Sequence, residues 1–390
     1  MSAPAGTPWR AALALALAAA VSLGLARFSY ALLLPPMRAE LGWSYFTAGA
    51  MNTVNAAGYL LGALAMPPLL ARVDARRLML GGGVLATLAL ALHALAPGDA
   101  ALYALRGLAG LASAASFVGG GLLAARLAAA ADGGRRAGLV LGLYYGGTGL
   151  GIVACALLLP PWLAVAGWRG AWALLALLAA LATAATLLGT PALAAPPAAR
   201  GAREATRWSP LAFGLAGYLC FGLGYIGYMT FIVTLLREQG LGGGVVAGFY
   251  GLLGLGVVAS SWLWAGLLQR HRGGVPMAVL NGLLALATVL PVWSAQPLVV
   301  FASGALFGSV FLSVVASTTA LVRHNLPAPA WPAGITAFTI VFAAGQIVGP
   351  SLVGRIADGP GGLARGLAVS AAVLALGAVL ALGQRPLPRG

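Results

Sequence analysis

The chain has 390 residues, of which 61% are hydrophobic and 7% are charged, and its mean hydropathy is +0.96. About a quarter of the residues in a soluble domain are charged, so this composition excludes an ordinary soluble protein and indicates a chain that crosses a membrane repeatedly. The net charge of +15 comes from 22 basic residues, all arginine, against 7 acidic ones. Because the arginines are scattered between apolar runs, they do not predict a nucleic-acid surface.

Apolar runs bounded by proline, glycine and charged residues predict twelve membrane spans. The first run is too long for a cleaved signal peptide, so we expect it to be a span. In chain order, the predicted spans lie near residues 11–36, 45–70, 78–96, 100–123, 137–160, 168–188, 210–236, 245–268, 275–294, 297–322, 331–355 and 363–384.

This pattern predicts an all-α polytopic membrane protein with two six-helix bundles. The amino-terminal bundle comprises residues 1–189 and the carboxy-terminal bundle residues 210–390. Between them, residues 190–209 are rich in proline, alanine and charge, which is typical of a linker, here a cytoplasmic one. Both cysteines fall in predicted spans, so neither a disulfide nor a metal site is predicted.

The arginines are distributed unequally on the two sides of this map. Fifteen lie on the side of the amino terminus, five lie on the opposite side, and Arg27 and Arg106 fall within spans. Since cytoplasmic loops carry the excess of basic residues, both termini are expected in the cytoplasm. We expect a multi-pass protein of the bacterial inner membrane.

The two halves of the chain repeat each other. A shift of 198 residues lays GLARFSYALLLPPMRAELG, at 24–42, over GLGYIGYMTFIVTLLREQG, at 222–240, without a gap. The same shift places Gly110 on Gly308. Parallel six-span halves are one arrangement of secondary transporters, in which the solute site lies between the repeats near the bilayer midplane.

Several short motifs carry a family resemblance. LYALRGLAGLASAA at 102–115 has an arginine followed by closely spaced glycines, RRLML lies at 76–80, and GWRGAW lies at 167–172. With these motifs the whole chain resembles the major facilitator superfamily, and GLARFSYALLLPPM at 24–37 is similar to the start of its bacterial YbfB/YjiJ-type subgroup. The resemblance implies that spans 1, 4, 7 and 10 line a central cavity and that the two halves rock around it.

Polar side chains within the spans form the candidate solute site. Arg27 and Arg106 lie at similar depths, roughly 12 and 9 Å below the outer boundary. Ionisable groups inside spans are costly and usually mark a transport pathway. Two cations without an acid favour an anionic or electron-rich solute. The candidate residues are Arg27, Tyr30, Asn52, Asn55, Arg106, Tyr225, Tyr228 and Gln346.

Structural interpretations of the same residues stay open. Arg106 belongs to the motif that resembles the superfamily, so it is also a candidate for tuning conformation or coupling. Arg27 could instead bond to backbone carbonyls around Gly24 or extend towards the interface. Each tyrosine or asparagine taken alone is also a candidate for helix packing.

The acidic residues limit the mechanism of coupling. All seven lie in predicted loops or at span ends, namely Glu40, Asp74, Asp99, Asp132, Glu204, Glu238 and Asp358. A carboxylate proton carrier deep in a span is therefore not expected. Coupling to a co-transported proton would fall on Glu40, Glu238, Asp358, His93 or a titratable solute.

These features predict a transporter and no enzyme. We expect a monomeric secondary active or facilitative transporter of a small organic solute, anionic or polar, that works by alternating access without a cofactor or metal. One alternative is a multidrug or hydrophobic-compound efflux pump with a cavity lined by Phe28, Phe221 and Tyr225. The other is a membrane sensor built on a transporter-like fold.

Overall fold

The structure is a computed structural model that describes residues 7–130, 137–190 and 208–387. Helices make up the regular structure of these ranges, and no strand occurs within them. The predicted linker falls almost entirely at residues 191–207, outside the described residues.

The helices follow the predicted spans in order. Span 1 is a composite of an α-helix, a π-helix and a second α-helix, at Thr7–Ala19, Ala20–Phe28 and Tyr30–Leu41. Spans 2 to 6 occupy Tyr45–Leu70, Ala75–Leu95, Asp99–Ala130 and the long run Ala137–Gly189. Spans 7 to 12 occupy Ala212–Glu238, Gly243–Leu263 with the short helix Ala265–Arg270, Val275–Trp293, Pro297–Asn325, Trp331–Ala357 and Gly362–Leu382. Short 3₁₀ turns precede spans 7 and 11 at Ser209–Leu211 and Ala328–Ala330.

The long run Ala137–Gly189 contains two spans. Its 53 residues would extend for about 80 Å as one helix, more than twice the hydrocarbon thickness. Gly167 interrupts it with φ of 63° and ψ of −172°, a left-handed backbone that favours glycine. Eleven helical stretches of the described chain are long and apolar enough to cross a membrane, and the break at Gly167 makes them twelve spans.

Large apolar side chains cover the outer surface of the helices. Leu157, Leu181 and Val379 each expose more than half of their surface. Water would penalise such exposure, whereas lipid tails do not. The surface therefore matches a hydrocarbon environment.

Contacts between residues divide the chain into two compact units. The first unit comprises residues 1–36 and 54–199, and the second comprises residues 37–53 and 200–390. Segment 37–53 joins the second unit partly through span 2, where the Thr53 hydroxyl lies 2.7 Å from the Ile347 carbonyl. The predicted boundaries place this segment in the first bundle, because its sequence position precedes the linker.

Helix packing confirms the internal repeat. In the first unit, a Cβ at Gly110 would strike the Asn55 carbonyl, which joins span 4 to span 2. In the second unit, a Cβ at Gly308 would strike the Leu253 carbonyl, which joins span 10 to span 8. The shift of 198 residues relates Gly110 to Gly308 and Asn55 to Leu253. The repeat thus preserves a close helix contact as well as a sequence pattern.

Candidate functional site

Two arginine side chains are buried within the first unit. Arg27, near the end of the π-helix in span 1, is 5% exposed, and Arg106, in span 4, is 1% exposed. The two guanidinium groups interact electrostatically as like charges. Buried like charges repel one another and have lost their hydration, so this arrangement favours an anion as a counter-charge.

Backbone and aromatic groups hold Arg106 in place. Its Nη1 donates to the Ala26 carbonyl at 3.0 Å. Its guanidinium carbon lies 4.8 Å from the ring centroid of Tyr30. Its own carbonyl accepts a hydrogen bond of 3.0 Å from Asn55 Nδ2. The structure therefore brings Tyr30 and Asn55 of the predicted set into contact with Arg106.

Arg27 lies against two aromatic rings. Its guanidinium carbon is 5.5 Å from the ring centroid of Tyr59 and 5.8 Å from that of Phe28. Such cation–π contacts contribute about 2 kcal/mol when they are desolvated. Tyr59 was not predicted as a site residue, although it follows Asn55 by four positions and so shares a helix face with it. That spacing is the sequence signal that could have identified it.

The backbone that carries Arg27 departs from α-helical pairing. The Ser29 N–H donates to the Gly24 carbonyl at 3.1 Å, five residues back instead of four. Gly24 also packs closely on span 5, since a Cβ at this position would lie 2.7 Å from the Cα of Gly151. π-helical turns occur frequently at functional sites. Hydropathy does not distinguish them from an α-helix.

The described carboxylates lie outside the interiors of the spans. Glu40, Asp74, Asp99, Glu238 and Asp358 occupy loops or terminal turns of helices. Predicted acids Asp132 and Glu204 fall outside the described residues. The interiors of the described spans thus carry arginines without carrying carboxylates.

Two carboxylates of the second unit contact the start of span 2. Glu238 accepts a hydrogen bond from the Tyr45 hydroxyl and lies 3.7 Å from Arg38. The two oxygens of Asp358 accept from the backbone N–H groups of Tyr45 and Phe46, at 2.7 and 3.0 Å. Two of the predicted proton-coupling positions therefore form one polar cluster at a helix end.

His93 is enclosed near the end of span 3. Its ring stacks on Trp172 with centroids 4.3 Å apart, and its Nδ1 lies 2.6 Å from the Ala89 carbonyl. Among the described residues, no hydrogen-bond partner meets its Nε2. The imidazole is fully buried, so among the predicted coupling positions it differs from the exposed carboxylates.

The candidate residues of the second unit lie among aromatic rings. Tyr225 stacks with Phe221, Phe342 and Phe311 at centroid distances of 4.7, 5.6 and 5.9 Å. Gln346 follows Phe342 by one turn of span 11 and is almost fully buried. This group offers flat apolar surface beside an amide.

Tyr228 has a defined packing role. Its hydroxyl lies 2.6 Å from that of Ser303, and its ring stacks on Phe307 with centroids 4.0 Å apart. The ring is completely buried. Through these contacts Tyr228 links span 7 to span 10.

The two predicted asparagines of span 2 are separated in the structure. Asn52 donates to the Thr230 hydroxyl at 2.8 Å within the second unit. Asn55, one turn later, belongs to the first unit and contacts Arg106. Their predicted depth in the membrane could not assign them to different units, because both lie at a similar level in one helix.

The described histidine, cysteine and carboxylate side chains are not grouped as a metal site would require. No group of three or more histidine, cysteine or carboxylate side chains that could hold a metal ion occurs among them. Cys155 and Cys220 are buried free thiols.

One family of membrane proteins matches nearly the whole chain. The model of that family, described as "Uncharacterised MFS-type transporter YbfB", matches residues 19–382. No curated protein matches the chain.

Solved structures of transporters are similar in fold. A bacterial homologue of the human lysosomal transporter Spinster, inward-facing and unoccupied, has a TM-score of 0.72 and 13% identity, with 100% of each chain covered. The nucleoside transporter NupG has a TM-score of 0.71 and 13% identity, with 96% of this chain and 98% of NupG covered. Tetrameric PepTSo2 has a TM-score of 0.72 and 14% identity, with 97% of this chain and 96% of PepTSo2 covered. At these identities the likeness establishes the fold, with its twelve spans in two pseudo-symmetric six-helix bundles.

Proposed function

We propose, because the chain belongs to the YbfB-type family of major facilitator superfamily transporters, that it moves a small organic anion across the membrane. The transport is secondary active or facilitative and proceeds by alternating access. Residues 1–189 and 210–390 are its two bundles, and residues 190–209 are the linker between them.

The observation that carries this proposal is the buried arginine pair of the first unit. Arg27 and Arg106 are both nearly inaccessible and interact as like charges. Their ring and carbonyl contacts orient the two side chains. A carboxylate would neutralise the charge and accept the strong hydrogen bonds that guanidinium groups offer.

The other predicted residues have supporting roles in this proposal. Tyr30 and Asn55 hold the side chain and the backbone of Arg106, respectively. The proposed solute contacts of the second unit are Asn52, Tyr225, Tyr228 and Gln346. No cofactor and no catalytic residue is assigned.

The first test measures ligand stabilisation of the detergent-purified full chain. The probes are the anions benzoate, lactate, succinate and gluconate, with glucose, alanine and tetraphenylphosphonium as neutral, zwitterionic and cationic comparisons. A ligand at about a hundred times its Kd stabilises a protein by about 2.7 kcal/mol, which raises the melting temperature measurably. We expect an anion to stabilise the parent and neither Arg27→Gln nor Arg106→Gln.

Arg365→Gln is the matched control for that test. Arg365 is exposed and donates to the Pro360 carbonyl in the loop before span 12, so its loss should leave anion stabilisation intact. Stabilisation only by neutral or cationic probes, surviving both cluster substitutions, would contradict the proposal.

Proton coupling belongs to the same proposal. The proposed carriers of a proton that accompanies the anion are Glu40, Glu238, Asp358, His93 and the solute itself. The test is uptake into proteoliposomes with an imposed pH gradient, using an anion that does not titrate in the tested range. Proton dependence that survives neutralisation of the four positions, singly and together, would exclude them as carriers.

The proposed setting is the inner membrane of a bacterium. Both termini lie in the cytoplasm, as the three-to-one bias of arginines supports. The working unit is a monomer in contact with lipid, and nucleic acid has no part in its function.

Export of hydrophobic or cationic compounds is the second candidate. The stacked rings of Phe221, Tyr225 and Phe342 favour it, since flat apolar surfaces suit such compounds. A deletion strain would then become sensitive to drugs and dyes. An unchanged sensitivity profile would leave the anion as the solute.

A further inference from the structure

The π-helix of span 1 changes which backbone groups are paired beside the arginine cluster. At its end, the Ser29 N–H donates to the Gly24 carbonyl, with nitrogen and oxygen 3.1 Å apart. An α-helix would join the same N–H to the Leu25 carbonyl. The Leu25 carbonyl therefore does not accept the hydrogen bond that the Ser29 N–H would donate to it in an α-helix.

The Ser29 hydroxyl replaces that donor. Its Oγ donates to the Leu25 carbonyl at 2.5 Å, and Ser29 is fully buried, so water cannot take its place. A hydroxyl bonded to the carbonyl four residues back is common in helices, and Thr87 makes this bond to Gly83 at 2.9 Å. Thr87 lies within an α-helix, where backbone pairing does not depend on the hydroxyl.

Side chains of span 4 bond to the same stretch. The Ser113 hydroxyl donates to the Ser22 carbonyl at 2.7 Å, and Arg106 Nη1 donates to the Ala26 carbonyl at 3.0 Å. Both donors are buried. The position of the Arg106 guanidinium therefore depends on where the π-helix presents the Ala26 carbonyl.

A return to α-helical pairing would displace all of these groups at the same time. The stretch would turn by one residue relative to the helix that follows it, which is about 100° around the axis. Arg27 would leave the Tyr59 ring, and the Ala26 carbonyl would leave Arg106. The positions of both guanidinium groups would then change.

Building on the proposed anion transport, we infer that Ser29 is a positioning residue of the anion site. Its hydroxyl holds span 1 in the π-helical pairing that directs Arg27 and Arg106 to one anion. Ser29 does this through the Leu25 carbonyl and makes no contact with the solute.

The test compares hydroxyl-deletion variants of the full-length protein in detergent. Ser29→Ala removes the hydroxyl, Ser29→Thr keeps it, and Thr87→Val removes the comparable hydroxyl of an α-helical site in the same unit. Affinity for benzoate, lactate, succinate and gluconate is taken from melting-temperature titrations. We expect Ser29→Ala to weaken the tightest of these about tenfold or more, as for a lost buried hydrogen bond, and Ser29→Thr to stay within about threefold. Thr87→Val should match the parent.

Hydrogen exchange without added anion gives a second readout. Amide exchange in residues 20–30 should rise in Ser29→Ala and return to the parent rate in Ser29→Thr, because backbone pairing of the stretch depends on the hydroxyl. Thr87→Val should leave the exchange of this stretch unchanged. A general loss of stability would instead raise exchange throughout the first unit.

The outcomes separate this inference from the function on which it rests. Anion affinity equal to that of the parent in Ser29→Ala would overturn the positioning role and leave the transport proposal standing. If no anion of the panel stabilises the parent, both fail. Should Ser29→Ala not fold, Ser29→Cys replaces it, since a thiol is only a weak donor to the Leu25 carbonyl. Parental affinity in that variant would then overturn the inference.

Discussion

At the scale of single residues, the buried arginines are a costly feature of the spans. An arginine at the centre of a span costs about 2.5 kcal/mol or more. The rings of Tyr30 and Tyr59 and the carbonyl of Ala26 offset part of this cost for Arg106 and Arg27. None of these groups carries a negative charge. In the proposed function, these contacts preorganise the two cations for the anion.

Asp358 permits a prediction about helix capping. Its carboxylate accepts the first backbone N–H groups of span 2, at Tyr45 and Phe46, where a negative charge also complements the helix dipole. Asp358→Ala should destabilise the protein by about 1 kcal/mol. Asp358→Asn should cost less, because its amide oxygen still accepts. Thermal melting in detergent measures both changes.

Glu40→Gln is the control for the capping prediction. Glu40 is an exposed acid in the last turn of span 1, so the substitution removes one negative charge and leaves the Asp358 carboxylate on Tyr45 and Phe46. Its effect on the melting temperature should be smaller than that of Asp358→Ala. Equal effects would mean that the loss of a negative charge, and not the loss of the cap, lowers the melting temperature.

Part of the candidate site could be predicted from these residues. Depth within the spans selected Arg27, Arg106, Tyr30 and Asn55 as candidates, and the structure places Tyr30 and Asn55 against Arg106. Depth does not determine the side of a helix on which a group lies. For this reason Tyr59 was missed, and the division of the two asparagines of span 2 between units could not be foreseen.

At the scale of helices, hydropathy predicted all twelve spans because apolar length is what a bilayer requires. It could not predict the π-helix Ala20–Phe28, since the average hydropathy of a stretch does not depend on whether its hydrogen bonds span four or five residues. The turn at Gly167 lies between predicted spans, and its positive φ explains why glycine stands there.

The repeated helix contact gives a prediction at this scale. Gly110→Ala and Gly308→Ala should each destabilise the protein by about 1–3 kcal/mol, because their Cβ atoms would overlap carbonyls of a neighbouring span. Gly81→Ala should be neutral or stabilising, since Gly81 is helical and nothing lies within 4 Å of its added Cβ. Melting temperatures of the three variants check this.

The repeat makes that comparison informative in itself. Both close contacts should lower the melting temperature, since the repeat places a glycine against a carbonyl in each unit. If only one of the two substitutions destabilised the protein, the repeated contact would matter in one unit alone. If Gly81→Ala were as harmful as either, glycine would be required for reasons other than close packing.

At the scale of the whole molecule, the family match identifies a membrane transporter, and the structural likeness identifies its fold. The family match covers residues 19–382, and transporter structures share the fold over nearly their full length. The solute is a separate question, because a fold does not by itself determine the chemistry of its site. The anion proposal therefore rests on the buried arginine pair of span 1 and span 4.

The membrane orientation of the whole chain yields the last prediction. Five spans separate Gly98, before span 4, from His271, after span 8, so the two positions lie on opposite sides of the membrane. The arginine bias places Gly98 outside and His271 in the cytoplasm. In intact cells, a membrane-impermeant maleimide should label Gly98→Cys, and it should label His271→Cys only after permeabilisation. The parent is the control, because Cys155 and Cys220 are buried. The reverse pattern would place both termini outside, whereas labelling of both variants in intact cells would require an even number of spans between the two positions.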